Sequence, residues 1–231
     1  MISREKLGMT WYWIARFLCQ MFTLICFRYR VYGRRNIPSK GGFILVANHQ
    51  SFLDPIFCGI GATRPLTYMA RDSLFTSPIF GGMIRSVRAI PLSRDKADIS
   101  TMKLVIARLK AGEGVCLYPE GTRTYDGRIT AFKAGFGLLC RRSKAPVVPV
   151  LIDGSFECWP RHKKVFSSGS ILVQFGLPLA PEQARTMSNE DLADWVTHTL
   201  RRMQHEARLR QGKQPYAYGD ESDPAGSRDT Q

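Results

Sequence analysis

The sequence predicts an α/β domain with a mostly parallel central sheet flanked by helices. Two observations carry that prediction. Short, continuously apolar runs such as Phe43 to Ala47, Val115 to Tyr118 and Val147 to Ile152 are bounded by turn residues, as strands buried on both faces are. Between them lie segments with helical caps and helical periodicity, and strands alternating with helices argue a parallel sheet.

The elements follow in order. Thr10 to Phe27 is a long apolar stretch, about 27 Å as a helix at about 1.5 Å per residue. Phe27 to Tyr32 alternates apolar and basic residues, the pattern of a half-exposed strand. Asn36 to Gly42 is a turn cluster, Phe43 to Ala47 a strand, and Pro55 opens a helix to about Gly61 with Asp54 in the capping position. Leu66 to Ala70 reads as a strand, Ser77-Pro78 opens a helix to about Ser86, and Arg88 to Leu92 is a short strand. Asp95 or Asp98 caps a helix whose Ile99, Met102, Ile106 and Leu109 share one face. After the strand Val115 to Tyr118 come a helix over Ala131 to Arg142 and strands at Val147 to Ile152 and Ile171 to Phe175. Ser188 caps a last helix from Asn189 to about Gln211. The division is an amino-terminal helix over 1–27, one domain over 28–211, and a polar, aperiodic tail over 212–231 expected to be disordered.

Composition narrows the partners. Thirty-three Lys and Arg against 19 Asp and Glu give a net charge of +14, which calls for an anionic partner. Six cysteines lie mostly inside apolar runs with no Cys-x-x-Cys pair, so buried reduced thiols in a cytoplasmic setting are expected and a zinc site is not. Within the first apolar stretch, Arg16, Gln20 and Thr23 recur at helical spacing. A central arginine costs about 2.5–3.5 kcal/mol on membrane-insertion scales. An interfacial helix is therefore favoured over a full span, with Trp11, Tyr12 and Trp13 at head-group level. Arg28, Arg30, Arg34 and Arg35 follow, a cluster attracted to anionic lipid on the cytoplasmic face of the cell membrane. A nucleic-acid partner would explain the charge, including the arginines of the last helix. It leaves the apolar amino terminus without a role, and none is expected.

Two strand ends carry the chemistry. Asn48-His49-Gln50-Ser51-Phe52-Leu53-Asp54 follows one strand, and Tyr118-Pro119-Glu120-Gly121-Thr122-Arg123 follows another. His49 and Asp54 are five apart, about 140° on a continuous helix, so they meet only across a turn. A histidine beside a carboxylate is a general base at neutral pH; alternatively Asp54 only caps a helix. Gly121 lets backbone approach a ligand, and Arg123 can fork onto phosphate oxygens. Arg71, Arg94 and Lys133 are further candidate cations, with Arg85 and Arg88 behind them. No Gly-x-Ser-x-Gly elbow or phosphate-binding glycine loop is present.

These segments resemble the glycerolipid acyltransferases of the lysophosphatidic acid acyltransferase type. Residues 48–54 look like the family's His-x4-Asp motif and Glu120-Gly121-Thr122-Arg123 its Glu-Gly-Thr-Arg motif. Ala70-Arg71, Pro78 to Gly82 and Ala89 to Arg94 resemble its second block, and Pro146 to Val150 its fourth. The resemblance spans roughly residues 28–180 and implies transfer of a fatty acyl group from acyl-CoA or acyl carrier protein to a lysophospholipid hydroxyl. It implies His49 as base and Asp54 as its orienter. It also implies that Arg123, with Arg71, Lys133 or Arg94, binds the acceptor phosphate, that Glu120, Gly121 and Thr122 shape that site, and that the fourth block lies near the acyl donor. Arg71 departs from the lysine that many relatives carry. No metal or redox cofactor is implied. Other acceptors, such as glycerol-3-phosphate or another lysolipid, and a membrane-peripheral protein without catalysis remain open.

Overall fold

The computed structural model describes residues 4–92 and 99–219. Among these, seven strands form one sheet: β1 (Phe27–Tyr32), β2 (Phe43–Ala47), β3 (Leu66–Arg71), β4 (Ala89–Leu92), β5 (Gly114–Leu117), β6 (Val147–Asp153) and β7 (Gly169–Phe175). Their order is β1-β7-β6-β2-β5-β3-β4. Five neighbouring pairs are parallel and β6 with β7 is antiparallel. The carboxyl ends of β2, β3, β5 and β6 therefore share one edge of the sheet, where open α/β sheets hold ligands.

Period-two alternation explains why β2 sits in the middle. Ile44 and Val46 pack to one face with Val115, Leu117, Val147 and Leu151, under the helices α4 (Ile99–Lys110), α5 (Gly135–Ser143) and α8 (Asn189–Arg210). Phe43, Leu45 and Ala47 pack to the other with Val148, Val150 and α2 (Asp54–Gly61). All five β2 residues are buried, as a central parallel strand requires. Ser188 caps α8 by accepting from Asp191 N–H at 2.9 Å.

Five elements depart from the sequence reading. Helix α5 starts at Gly135, not Ala131, because the preceding amides are engaged elsewhere: Phe132 N–H donates to Thr197 Oγ1 at 3.2 Å and Lys133 N–H to the Pro119 carbonyl at 3.3 Å. Asp54 lies inside α2 rather than capping it, and its carboxylate bonds no helix amide. The short helices α6 (Ser155–Cys158) and α7 (Pro181–Thr186) were not foreseen. Residues 212–219, expected to be loose, pack on the domain: Tyr218 Oη accepts from Ile129 N–H at 2.9 Å and Tyr216 lies against the Arg208 guanidinium.

The first helix, α1 (Arg4–Cys26), inverts the usual amphipathic arrangement. Of its polar stripe, Arg16 and Thr23 face the protein and Gln20 is exposed. Arg16 donates to the carbonyls of Gly59, Ile60 and Ala62, the last at 2.7 Å, and so caps the carboxyl end of α2. Thr23 is fully buried. Trp11, Trp13, Ile14, Phe17, Leu18 and Ile25 point outward instead. Beside them α3 (Pro78–Ser86) exposes Ile79, Phe80 and Met83, and Trp11 Nε1 donates to Ser86 Oγ at 2.9 Å. Among the described residues, no helix is long and apolar enough to cross a membrane.

Candidate active site

The turn after β2 is built around one carboxylate. Asp54 Oδ2 accepts from the backbone N–H of Gln50 at 2.6 Å and of Ser51 at 2.7 Å, and pairs with His49 Nδ1 at 2.8 Å. Its Oδ1 accepts from Ser155 Oγ at 2.6 Å. Four hydrogen-bond partners hold this fully buried carboxylate in place. Histidine Nδ1 thus carries the proton toward Asp54, which leaves Nε2 as the basic nitrogen. The His49 side chain is 21 % exposed and lies against the Tyr118 ring, with centroids 4.5 Å apart. It is both fixed and reachable.

The second segment is stitched to the first. His49 N–H donates to Glu120 Oε1 at 2.8 Å, and Thr124 N–H to the His49 carbonyl at 2.8 Å. Glu120 Oε2 accepts from Thr130 Oγ1 at 2.8 Å. Glu120 is buried, and burial pushes its carboxyl up to about 7 against these hydrogen bonds. Its carboxylate braces two strand ends. Gly121, at φ +70°, turns the chain outward below the Lys133 ammonium. Thr122 and Lys133 are exposed on that loop.

Arg123 stacks on Phe52, its guanidinium carbon 3.4 Å from the ring centroid. Its Nη1 is buried without a hydrogen-bond partner. Burial, and the nearby charges of Arg161 and Arg71, pull its pKa below the ordinary arginine value while Asp54 opposes them. A half-buried guanidinium with a buried, unpaired Nη1 among like charges has donors to offer an anion. Arg71 ends β3 at the same edge and is exposed. Arg94 lies outside the described residues.

The fourth block forms a central strand: Val147 to Val150 are buried in β6, paired in register with β2. That block carries the chain to Ser155, which reaches back to Asp54, and to Gln50, whose Nε2 donates to the Gly127 carbonyl at 2.9 Å. Ser155, Gln50, Thr130, Phe52 and Arg161 were missed. Their signal was position alone: Ser155 follows the end of a buried strand, as His49 and Glu120 do.

A half-buried imidazole paired with a buried carboxylate, beside a guanidinium on the neighbouring strand end, has the make-up of an enzyme site. Comparison with known proteins agrees with that reading. The acyltransferase family profile matches residues 28–153. A 1-acyl-sn-glycerol-3-phosphate acyltransferase of Bacillus subtilis is 31% identical over 166 residues, covering 71% of this chain and 80% of that protein. The chloroplastic enzyme LPAT1 of Arabidopsis thaliana is 27% identical over 183 residues, covering 78% of this chain but 51% of its own length. The crystal structure of the 1-acyl-sn-glycerophosphate acyltransferase PlsC from Thermotoga maritima superposes with a TM-score of 0.79 at 27% identity, covering 91% of this chain and 85% of that one. The chain belongs to the acyltransferase family, and the fold is that of PlsC.

Proposed function

We propose that this protein transfers a fatty acyl group from an acyl-CoA or acyl carrier protein thioester to the free hydroxyl of 1-acyl-sn-glycerol-3-phosphate, forming phosphatidic acid for phospholipid synthesis. The catalytic domain is residues 28–211. The observation that carries the reading is the stitching of His49, through Glu120 and Thr124, to the loop bearing Arg123. One lysolipid head can then place its phosphate on Arg123 and its hydroxyl on His49.

The chemistry follows from the geometry. His49 Nε2 takes the proton of the acceptor hydroxyl as its oxygen attacks the thioester carbonyl. The tetrahedral adduct collapses, the carbon–sulfur bond breaks, and the leaving thiolate takes the proton from the imidazolium. Asp54 holds the ring in the working tautomer and balances its transient charge. No acyl-enzyme is needed. Arg71 and Lys133 contribute positive potential, and Gly121 and Thr122 shape the approach.

Both substrates are amphiphiles with anionic heads, which suits a basic protein docked on a bilayer. The outward apolar face of α1, with Ile79, Phe80 and Met83 of α3, supports peripheral association with the cytoplasmic face of the membrane. The test is acylation of a panel of acceptors by purified protein in lipid vesicles, with labelled acyl-CoA and acyl carrier protein donors. Lysophosphatidate is expected to be the preferred acceptor. Preference for glycerol-3-phosphate or a different lysolipid would overturn the assignment.

A further inference from the structure

The motif segments account for one guanidinium at the anion site, but the fold brings a second. Arg161 lies on the loop after α6, thirty-eight residues beyond Arg123 in sequence. Its Nη1 approaches Thr122 Oγ1 at 3.4 Å and the Arg123 carbonyl at 3.5 Å, and its guanidinium carbon lies 4.0 Å from the Tyr125 ring centroid. Tyr125 therefore supports Arg161 much as Phe52 supports Arg123.

Those hydrogen bonds are long. They locate the group without saturating its five donors. Among the described residues, neither Arg161 nor Arg123 forms an ion pair, and the Asp54 carboxylate is committed to His49. Two neighbouring guanidiniums without a directly paired acid repel each other, and a bridging anion relieves that repulsion. The contrast with Arg208 is direct: that side chain is paired with Asp153 at 3.2 Å and Glu157 at 2.9 Å.

We propose that Arg161 is a specificity-determining residue that, together with Arg123, selects a doubly charged phosphomonoester head over a singly charged phosphodiester. The inference rests on the reading that the acceptor phosphate binds Arg123, and it refines the substrate class of that site. A phosphomonoester, with a second pKa near about 6, carries close to two charges at neutral pH and three terminal oxygens. Two guanidinium forks match that charge and count. A phosphodiester offers one charge and two such oxygens, which Arg123 alone can satisfy.

The experiment compares lysophosphatidate with its phosphate methyl ester, carrying the same acyl chain, as acceptors for the full-length wild type, Arg161→Ala and Arg161→Lys. The wild type is expected to prefer the monoester. Arg161→Ala should raise the lysophosphatidate KM about tenfold, with the methyl ester and the donor KM within about twofold of wild type. Arg161→Lys should recover part of the preference, because charge returns without the fork. Equal losses on both acceptors would assign Arg161 to holding the loop and overturn the inference, as would an unchanged ratio of the two. A wild type that acylates neither acceptor overturns the acceptor reading itself, and the inference with it.

Discussion

Arg16 and Arg123 are both half-buried arginines, and their surroundings are opposites. Arg16 meets three backbone carbonyls at the end of α2, where the helix dipole is negative and acceptors are otherwise unpaired. Arg123 meets an aromatic face, two like charges and a buried Nη1 with nothing to donate to. A structural cation is saturated by the fold. Arg123, the proposed phosphate ligand, is held by packing and left short of acceptors that a ligand can supply.

The comparison breaks most readily at Arg123. Arg123→Ala is expected to raise the acceptor KM by about 30-fold or more, the scale of a charge-assisted contact of about 2–3 kcal/mol, with thermal stability nearly unchanged. Arg16→Ala should do the reverse. It leaves the Gly59 and Ala62 carbonyls unpaired at a buried helix end, the Ile60 carbonyl keeping Arg34 Nη2 at 3.4 Å, and should cost about 2–3 kcal/mol of stability by chemical denaturation, with the acceptor KM unchanged. If Arg16→Ala shifted acceptor affinity while Arg123→Ala only lowered stability, the two roles would have to be exchanged.

Glu120 sharpens the same contrast on the acidic side. Its carboxyl rises from 4.5 to about 7 on folding, so between these values the folded protein binds more protons than the unfolded chain. The Glu120 contribution to stability is therefore fully present below pH 4.5 and is lost as pH rises through about 7. Glu120→Gln removes this titration, and the melting temperature of the variant should fall less between pH 5.5 and 8 than that of the wild type. The difference should correspond to about 2 kcal/mol. Parallel pH profiles would contradict the buried, raised carboxyl.

Much of the sheet was legible in the sequence because buried parallel strands declare themselves as unbroken apolar runs. The His49 and Glu120 segments were legible because each closes such a run. Arg16 was not: priced against lipid, it looked like a penalty, and the carbonyls that satisfy it lie more than forty residues away. Ser155 was hidden for the same reason, at 101 residues from Asp54, as was the folding back of Tyr218, whose hydroxyl also donates to Gln204. The burial of the fourth block was legible as an apolar run, and every residue of β6 is buried. Local patterns report what a segment does with its own faces; long-range polar partners become visible only once the chain has folded.

The proposed division of labour between imidazole and guanidinium is open to steady-state kinetics of His49→Ala with lysophosphatidate and labelled acyl-CoA. We expect kcat to fall by about 10²–10⁴-fold with the acceptor KM within a few-fold of wild type. Near wild-type turnover, or a loss confined to the acceptor KM, would contradict it.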